Sequence, residues 1–74
     1  MTQFTVENAD KLGLDAREVL IVALIEQGFG RKEIARKMGI AEQTVRTRIW
    51  ELCAYYDCRS RDLPEKILAA EDAA

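Results

Sequence analysis

The stretch that decides the fold is Lys32–Val45, "KEIARKMGIAEQTV". A short helical pattern in it ends at Gly39, and a second helical pattern begins almost at once. Two helices joined by so few residues must cross at a steep angle, and Ala35 is small enough to lie where they meet. Ile40 and Val45 have the spacing of a hydrophobic staple at the start of the second helix. The segment therefore predicts a helix-turn-helix.

Further helical patterns flank this segment, and the sequence contains no strand pattern. Asp15 and Glu18 have capping-box spacing at the start of the first predicted helix, and Pro64 fits only the first turn of the last one. The sequence predicts an all-α, four-helix domain over residues 14–74. We predict its helices at about residues 15–27, 31–38, 42–56 and 63–71.

The third predicted helix has two different faces. Apolar residues recur at intervals of three and four, which predicts a buried stripe formed by Val45, Ile49, Leu52 and Tyr56. The opposite face is expected to point outward and to consist of Gln43, Arg46, Thr47 and Trp50.

The first predicted helix is more apolar than a helix buried on one side needs to be. Ile21, Leu24 and Ile25 share one face. One explanation for the remaining apolar residues is cover by residues 1–13, expected to be a loosely ordered arm, through Phe4 or Val6. The other is a dimer or partner surface made of Val19, Leu20, Ala23, Ile67 and Leu68.

Composition and charge restrict the class of protein. The chain has 74 residues, 49% of them hydrophobic and 32% charged, which is typical of one small folded domain. Its longest apolar run, Val19–Ile25, is too short to span a bilayer. The N-terminus lacks the pattern of a signal peptide. We therefore expect a cytoplasmic protein with no membrane association.

The net charge of −2 hides an uneven distribution. Residues 29–61 carry eight basic and four acidic side chains, whereas the segments on either side are acidic. A local basic patch, and not the total charge, determines whether a polyanion can bind. The basic middle of the chain therefore favours a nucleic-acid partner.

Catalytic and metal chemistry are not indicated. The chain has no histidine, and its two cysteines, Cys53 and Cys58, are too few to ligate zinc within one chain. No glycine-rich phosphate loop or convergent carboxylate pair occurs. We expect no metal ion, no cofactor and no enzymatic activity. The cysteines are interpreted as reduced, half-buried thiols, with redox sensing as the alternative.

From Leu14 to about Leu68, the chain resembles the LuxR-type (GerE-like) DNA-binding domain. The matching residues are Arg17 and Glu18, Gly28, the run Lys32–Ala35, Ile40 and the run Thr44–Arg46. The resemblance implies a four-helix domain whose third helix reads duplex DNA and whose fourth often mediates dimerisation. We expect a stand-alone domain with no receiver or ligand-sensing domain before it, and therefore without regulation by phosphorylation or an autoinducer.

The resemblance and the outward face together give a set of candidate site residues. The candidates for base contact are Gln43, Arg46, Thr47 and Trp50. The candidates for phosphate contact are Lys32, Arg36, Thr44 and Arg48, with Arg48 standing where the family tends to carry histidine. Gly30 and Ala41 replace the usual serine-like caps, which removes a side-chain hydrogen bond of about 1 kcal/mol from each helix start.

Three interpretations of Trp50 remain open: burial against a neighbouring helix, contact with DNA, and contact with a protein partner. The leading hypothesis for the chain is a sequence-specific transcription regulator that binds DNA as a homodimer, with a sigma-factor-like segment as a near variant. The alternative is a protein-interaction module on the same helix-turn-helix body. Such a module would dock on a regulator or RNA polymerase through Trp50 or the Val19–Leu20 surface.

Overall fold

The computed structural model describes residues 9–73, except for the side chain at position 10. Within this range the chain forms five α-helices, one 3₁₀ turn and no strand. The elements in order are α1 (Ala9–Leu12), α2 (Ala16–Glu26), α3 (Arg31–Met38), α4 (Glu42–Tyr56), the 3₁₀ turn (Ser60–Asp62) and α5 (Leu63–Ala73).

The all-α helix-turn-helix fold class is confirmed, and the four predicted helices correspond to α2–α5. The third predicted helix is therefore α4. The single-turn helix α1 lies in the segment expected to be a loose arm. Phe4 and Val6, proposed as cover for α2, lie outside the described residues. None of the helices within residues 9–73 is long and apolar enough to cross a membrane.

Helix α2 begins with the capping box that its sequence predicts. The Glu18 N–H donates to Asp15 Oδ1 at 2.7 Å, and the Asp15 N–H donates to Glu18 Oε1 at 3.1 Å. These two bonds satisfy backbone donors that the first turn of a helix leaves unpaired. The start of α2 is thus fixed by local sequence.

Helix α4 ends with an unusual residue. Asp57 has a φ of 53°, and within residues 9–73 it is the one non-glycine residue with positive φ. The Cys58 N–H donates to the Cys53 carbonyl oxygen at 3.1 Å across this residue. The left-handed turn directs the chain from α4 into the 3₁₀ turn and then into α5.

The core is entirely apolar among the described residues. Val22 is fully buried, although the expected inward face of α2 comprised Ile21, Leu24 and Ile25. Ile25 is only half-buried. The difference arises because α2 contacts α3, α4 and α5, so it is covered on more than one side. The buried side chains are Leu14, Ile21, Val22, Leu24, Ile34, Ala35, Val45, Ile49, Leu52, Leu63 and Ile67.

Candidate nucleic-acid interface

A single left-handed glycine forms the turn between α3 and α4. Gly39 has a φ of 68° and a ψ of 33°, a conformation that strains residues bearing a Cβ atom. Its N–H donates to the Arg36 carbonyl oxygen at 3.3 Å, and the Ile40 N–H donates to the Ala35 carbonyl oxygen at 3.1 Å. These bonds close α3 and let α4 begin three residues after the glycine.

Apolar side chains fix the angle between the two helices. Ala35 and Val45 are buried, and the half-buried Phe29 and Ile40 pack against the core on either side of α3. Helices α3 and α4 make the most extensive contact of any pair of elements. Since the whole of α3 and the start of α4 are held this firmly, the outer side of α4 has a defined position relative to α3.

The four candidates for base contact share one exposed side of α4. Positions 43, 46, 47 and 50 recur at three- and four-residue intervals, which places them on the same face of a helix. All four side chains are exposed, whereas Val45, Ile49 and Leu52 on the other side are buried. The expected division of α4 into a core face and an outward face is present, and the outward face is free for contact.

Arg46 forms an ion pair within α4. Its Nη2 atom lies 3.9 Å from Glu42 Oε2, one helical turn earlier, and both side chains are well exposed. Pairs of this kind contribute only about 0.3–0.5 kcal/mol. The pair therefore orients Arg46 along the helix without holding it firmly, and a stronger anionic partner can displace Glu42.

Trp50 is 70% exposed, so the interpretation that it is buried against a neighbouring helix is wrong. One turn beyond Arg46, it borders an open groove between the end of α4 and the start of α5. The groove is lined by Trp50, Cys53, Ala54, Asp57, Cys58, Arg59, Asp62 and Lys66. Two interpretations of Trp50 remain: contact with nucleic acid and contact with a protein partner.

The candidates for phosphate contact occupy two kinds of position. Lys32 and Arg36 are exposed and lie one turn apart on α3, so they share a side of that helix. Thr44 is half-buried in the first turn of α4. Neither Gly30 nor Ala41 makes a side-chain cap, as expected, so the first turns of α3 and α4 lack side-chain hydrogen bonds at those positions.

Arg48 lies on a different side of α4 from Arg46. It is half-buried, and its Nη1 atom lies 4.0 Å from Glu18 Oε2 on α2. The two side chains are two positions apart on α4, which separates them by about 200°, slightly more than a half-turn. Arg48 thus faces α2 and does not extend the exposed side formed by Gln43 and Arg46.

Sequence reasoning missed Lys66, which lines the groove beside Trp50 and Arg59. Its place depends on how α5 packs beside α4, and no short-range pattern reports that packing. Asp57 and Asp62 line the same groove, so its charge is mixed. The basic side chains are consequently most concentrated on α3 and the first half of α4.

The structure changes which residues can form the expected dimer or partner surface. Ile67 is fully buried in the core, so it offers no surface to a partner and is removed from the set. Leu68 is half-buried in a groove between α2 and α5. Leu20 is 47% exposed, and Val19 and Ala23 beside it are half-buried.

Cys53 and Cys58 are free and half-buried. Burial is the main cause that raises the pKa of both thiols, with the Cys58 charge adding to the effect on Cys53 and the Asp62 charge to that on Cys58. Both are therefore protonated and weakly nucleophilic at neutral pH. Across residues 9–73, no three potential ligands lie together in a way that would hold a metal ion.

Comparison with known families gives one match. The model of the family described as bacterial regulatory proteins, luxR family (GerE), matches residues 12–60, from the end of α1 to the start of the 3₁₀ turn. The match covers more than half of the chain and includes the whole of α2, α3 and α4. Comparisons with curated proteins and with solved structures find no match.

Proposed function

Since the chain belongs to the luxR family of bacterial regulatory proteins, we propose that it binds a specific duplex sequence as a homodimer, with α4 in the major groove. A DNA-binding helix-turn-helix regulator of transcription is the general function that goes with this family. The finer parts of the proposal are the groove, the contacting residues and the dimer. They are supported by the geometry of α3 and α4 and by the charge of the chain.

The observation that carries the proposal is the exposed side of α4. It presents Gln43, Arg46 and Thr47 together, on a helix whose opposite side is locked into the core. The major groove admits an α-helix and displays a distinct donor and acceptor pattern for each base pair. A helix-turn-helix inserts its second helix there.

The chemistry of these side chains assigns their roles. Arg46 donates to the O6 and N7 atoms of guanine once Glu42 is displaced, and Gln43 pairs with adenine through its N6 and N7 edge. Thr47 offers both a hydroxyl and a methyl group to a base edge. Trp50 completes the face with a large apolar surface. These four residues choose the sequence.

Affinity comes mainly from phosphate contacts. Lys32 and Arg36 project from α3 on one side of it, and Thr44 lies in the first turn of α4, where backbone N–H groups also favour an anionic oxygen. Arg48 reaches a phosphate by exchanging Glu18 for it. The acidic segments at both ends of the chain keep nonspecific attraction moderate, since they oppose the field of the basic middle.

A homodimer is proposed because one small helix-turn-helix reads only a short half-site. Two copies related by a twofold axis read a pseudo-palindrome whose half-sites are about one DNA turn apart. Leu20, with Val19 and Ala23 beside it on α2, and Leu68 on α5 are the apolar side chains left for this contact. Their small area favours a dimer that forms on DNA.

The test begins with selection of bound duplexes from a random library, followed by anisotropy titrations of the selected site at several salt concentrations. The logarithm of affinity is expected to fall linearly with the logarithm of salt, with a slope of about −0.9 for each phosphate contacted. Lys32→Ala and Arg36→Ala should each reduce the slope by about one contact and leave the preferred sequence unchanged. Lys11→Ala removes an equal charge from the exposed side of α1 and serves as the matched control.

A second candidate function is supported by one observation, the exposure of Trp50 and Leu20. A protein-interaction module on this fold would dock on a regulator or RNA polymerase through these side chains. The same titration separates the two candidates. Absence of binding to any duplex at low salt, where electrostatic attraction is strongest, would favour the protein partner.

A further inference from the structure

Trp50 is an apolar side chain on an otherwise polar surface of α4. Gln43, Arg46 and Thr47 precede it on the same side, and all four are exposed. Leaving most of an indole in water forgoes a favourable burial of about 25 cal/mol for each Å². A side chain of this type therefore gains most from a partner that offers an apolar group at this position.

The indole restricts what that partner can be. Its Nε1–H is a single donor and it has no acceptor, so it cannot make the paired hydrogen bonds by which arginine or glutamine identify a base. What it offers is a broad apolar face. On the floor of the major groove the apolar feature is the 5-methyl group of thymine, which 5-methylcytosine shares.

The position of Trp50 fits that partner. Trp50 follows Arg46 by four residues, which corresponds to about 6 Å along the helix or about two base steps of duplex DNA. With α4 in the groove, the two side chains meet base pairs about two steps apart. Cys53 and Ala54, in the next turn, continue the line of weakly polar groups beside the indole.

Insertion of the indole between stacked bases is disfavoured by this geometry. Apolar wedges that unstack base steps act from the minor groove. That groove is about 6 Å wide and does not admit a helix of about 10 Å diameter. From α4, the indole meets the edges of the bases and not the space between them.

We propose that Trp50 selects a pyrimidine bearing a 5-methyl group, within about two base pairs of the base contacted by Arg46. This inference rests on the proposed function and names the base chemistry that one residue of that site reads. The methyl group packs against the indole face and is removed from water on binding.

The test replaces single thymines of the selected duplex by deoxyuridine, which removes only the 5-methyl group. At one or two positions in each half-site, the substitution is expected to weaken binding about fourfold, as for the loss of one buried methyl group. Trp50→Ala should bind the thymine and deoxyuridine duplexes with the same affinity. Tyr55→Ala is the matched control, because Tyr55 is a similarly exposed aromatic residue on another side of α4 (76% exposed) and should retain the discrimination.

A second pair of duplexes isolates the methyl group from the rest of the base. The thymine at the sensitive position is changed to cytosine and then to 5-methylcytosine. Methylation is expected to recover about fourfold of the lost affinity for the wild type and none of it for Trp50→Ala. Tyr55→Ala should show the same recovery as the wild type.

The outcomes that overturn the inference differ from those that overturn the proposed function. No selected duplex and no salt-dependent binding would remove the proposed function. Sequence-specific binding that ignores the 5-methyl group would remove only the inference. Discrimination between the thymine and deoxyuridine duplexes that survives in a folded Trp50→Ala would also assign the methyl contact elsewhere. A loss of affinity by the same factor for every duplex is one form of this outcome.

Discussion

The Arg48 guanidinium lies 4.0 Å from the Glu18 carboxylate, and the pair connects α4 to α2. The same carboxylate accepts the Asp15 N–H through its other oxygen, at 3.1 Å. Glu18 therefore makes two interactions, one with the cap of its own helix and one with α4. The cap is fixed by residues three positions apart, whereas the contact with Arg48 depends on how α2 and α4 pack.

The ion pair and the capping box should differ in their contribution to stability. Arg48→Ala is expected to lower the free energy of unfolding by less than about 1 kcal/mol, because the ion pair is long and partly exposed. Glu18→Ala should cause a larger loss, since it also removes one half of the capping box. Urea denaturation of both single variants and of the double variant measures the coupling. A coupling energy well above 1 kcal/mol would contradict the weak pair inferred from its geometry.

Removal of the Arg46 side chain should weaken specific DNA binding by about 1–3 kcal/mol and relax the base preference at one position. The ion pair with Glu42 is too weak to affect the fold, so the circular dichroism spectrum of Arg46→Ala should match that of the wild type. Anisotropy titrations with the selected duplex and with its single-base variants make the measurement. Unchanged affinity and unchanged base preference would remove Arg46 from the interface.

Restoring a cap to α4 should stabilise the fold. Ala41 has a φ of −69° and a ψ of 144°, the backbone conformation of a capping residue, but supplies no side-chain acceptor. Ala41→Ser should raise the free energy of unfolding by about 1 kcal/mol, or about 4–8 °C in Tm. Ala54→Ser, the same change at an exposed position inside α4, should slightly lower Tm. If both variants shift Tm equally, the gain does not come from capping.

Glycine in place of Asp57, the left-handed residue at the end of α4, should stabilise the fold. Asp57 bears a Cβ atom at a φ of 53°, and relief of this strain should exceed the entropy that glycine adds to the unfolded chain. Asp57→Gly is expected to raise stability by about 0.5–1 kcal/mol, measured by thermal denaturation. Asp62→Gly removes an equal charge from the 3₁₀ turn, outside the left-handed region, and should destabilise the chain. A loss of stability in Asp57→Gly would show that its carboxylate matters more than its backbone.

The Tyr56 hydroxyl is buried without a hydrogen-bond partner among the described residues. Tyr56→Phe removes an unsatisfied polar atom, so stability should be unchanged or increase by up to about 1 kcal/mol. Burial, followed by the charges of Tyr55 and Glu18, raises the pKa of the Tyr56 phenol. The folded phenol therefore holds its proton more tightly than the unfolded one, so stability is unaffected below the unfolded pKa of about 10 and decreases as the pH rises from there through the folded pKa.

Urea denaturation above and below pH 10 measures this dependence. Tyr56→Phe should reduce the loss of stability at alkaline pH, whereas Tyr55→Phe, which alters an exposed phenol, should reduce it less. Equal alkaline profiles in the wild type and Tyr56→Phe would assign the loss to other groups, the raised pKa of Cys53 among them.

The features that sequence reasoning predicted are those with short-range causes. Ala35, Gly39 and Val45 determine the helix-turn-helix through contacts within about one turn of each helix. The Asp15 and Glu18 cap is equally local. The outward position of Gln43, Arg46 and Thr47 follows from helical periodicity once Val45 and Ile49 are assigned to the core.

The features that could not be predicted depend on contacts far apart in the sequence. Val22 is buried because other helices cover α2 on more than one side. Ile67 is fully buried and Leu68 only half-buried because of how α5 packs against α2 and α4. Periodicity predicted the outward position of Trp50 but left open whether a neighbouring helix covers it, and its 70% exposure excludes that cover. The positive φ of Asp57 left no sequence signal, since glycine is the residue usually found there.

The exposure of Trp50 also determines what an optical experiment on this chain reports. It is the chain's single tryptophan, and its surroundings are already aqueous in the folded state. Its fluorescence emission should therefore change little when the chain unfolds and strongly when the outer side of α4 is covered. The fluorescence of Trp50 thus reports binding at the outer side of α4. Unfolding has to be followed by the circular dichroism of the helices.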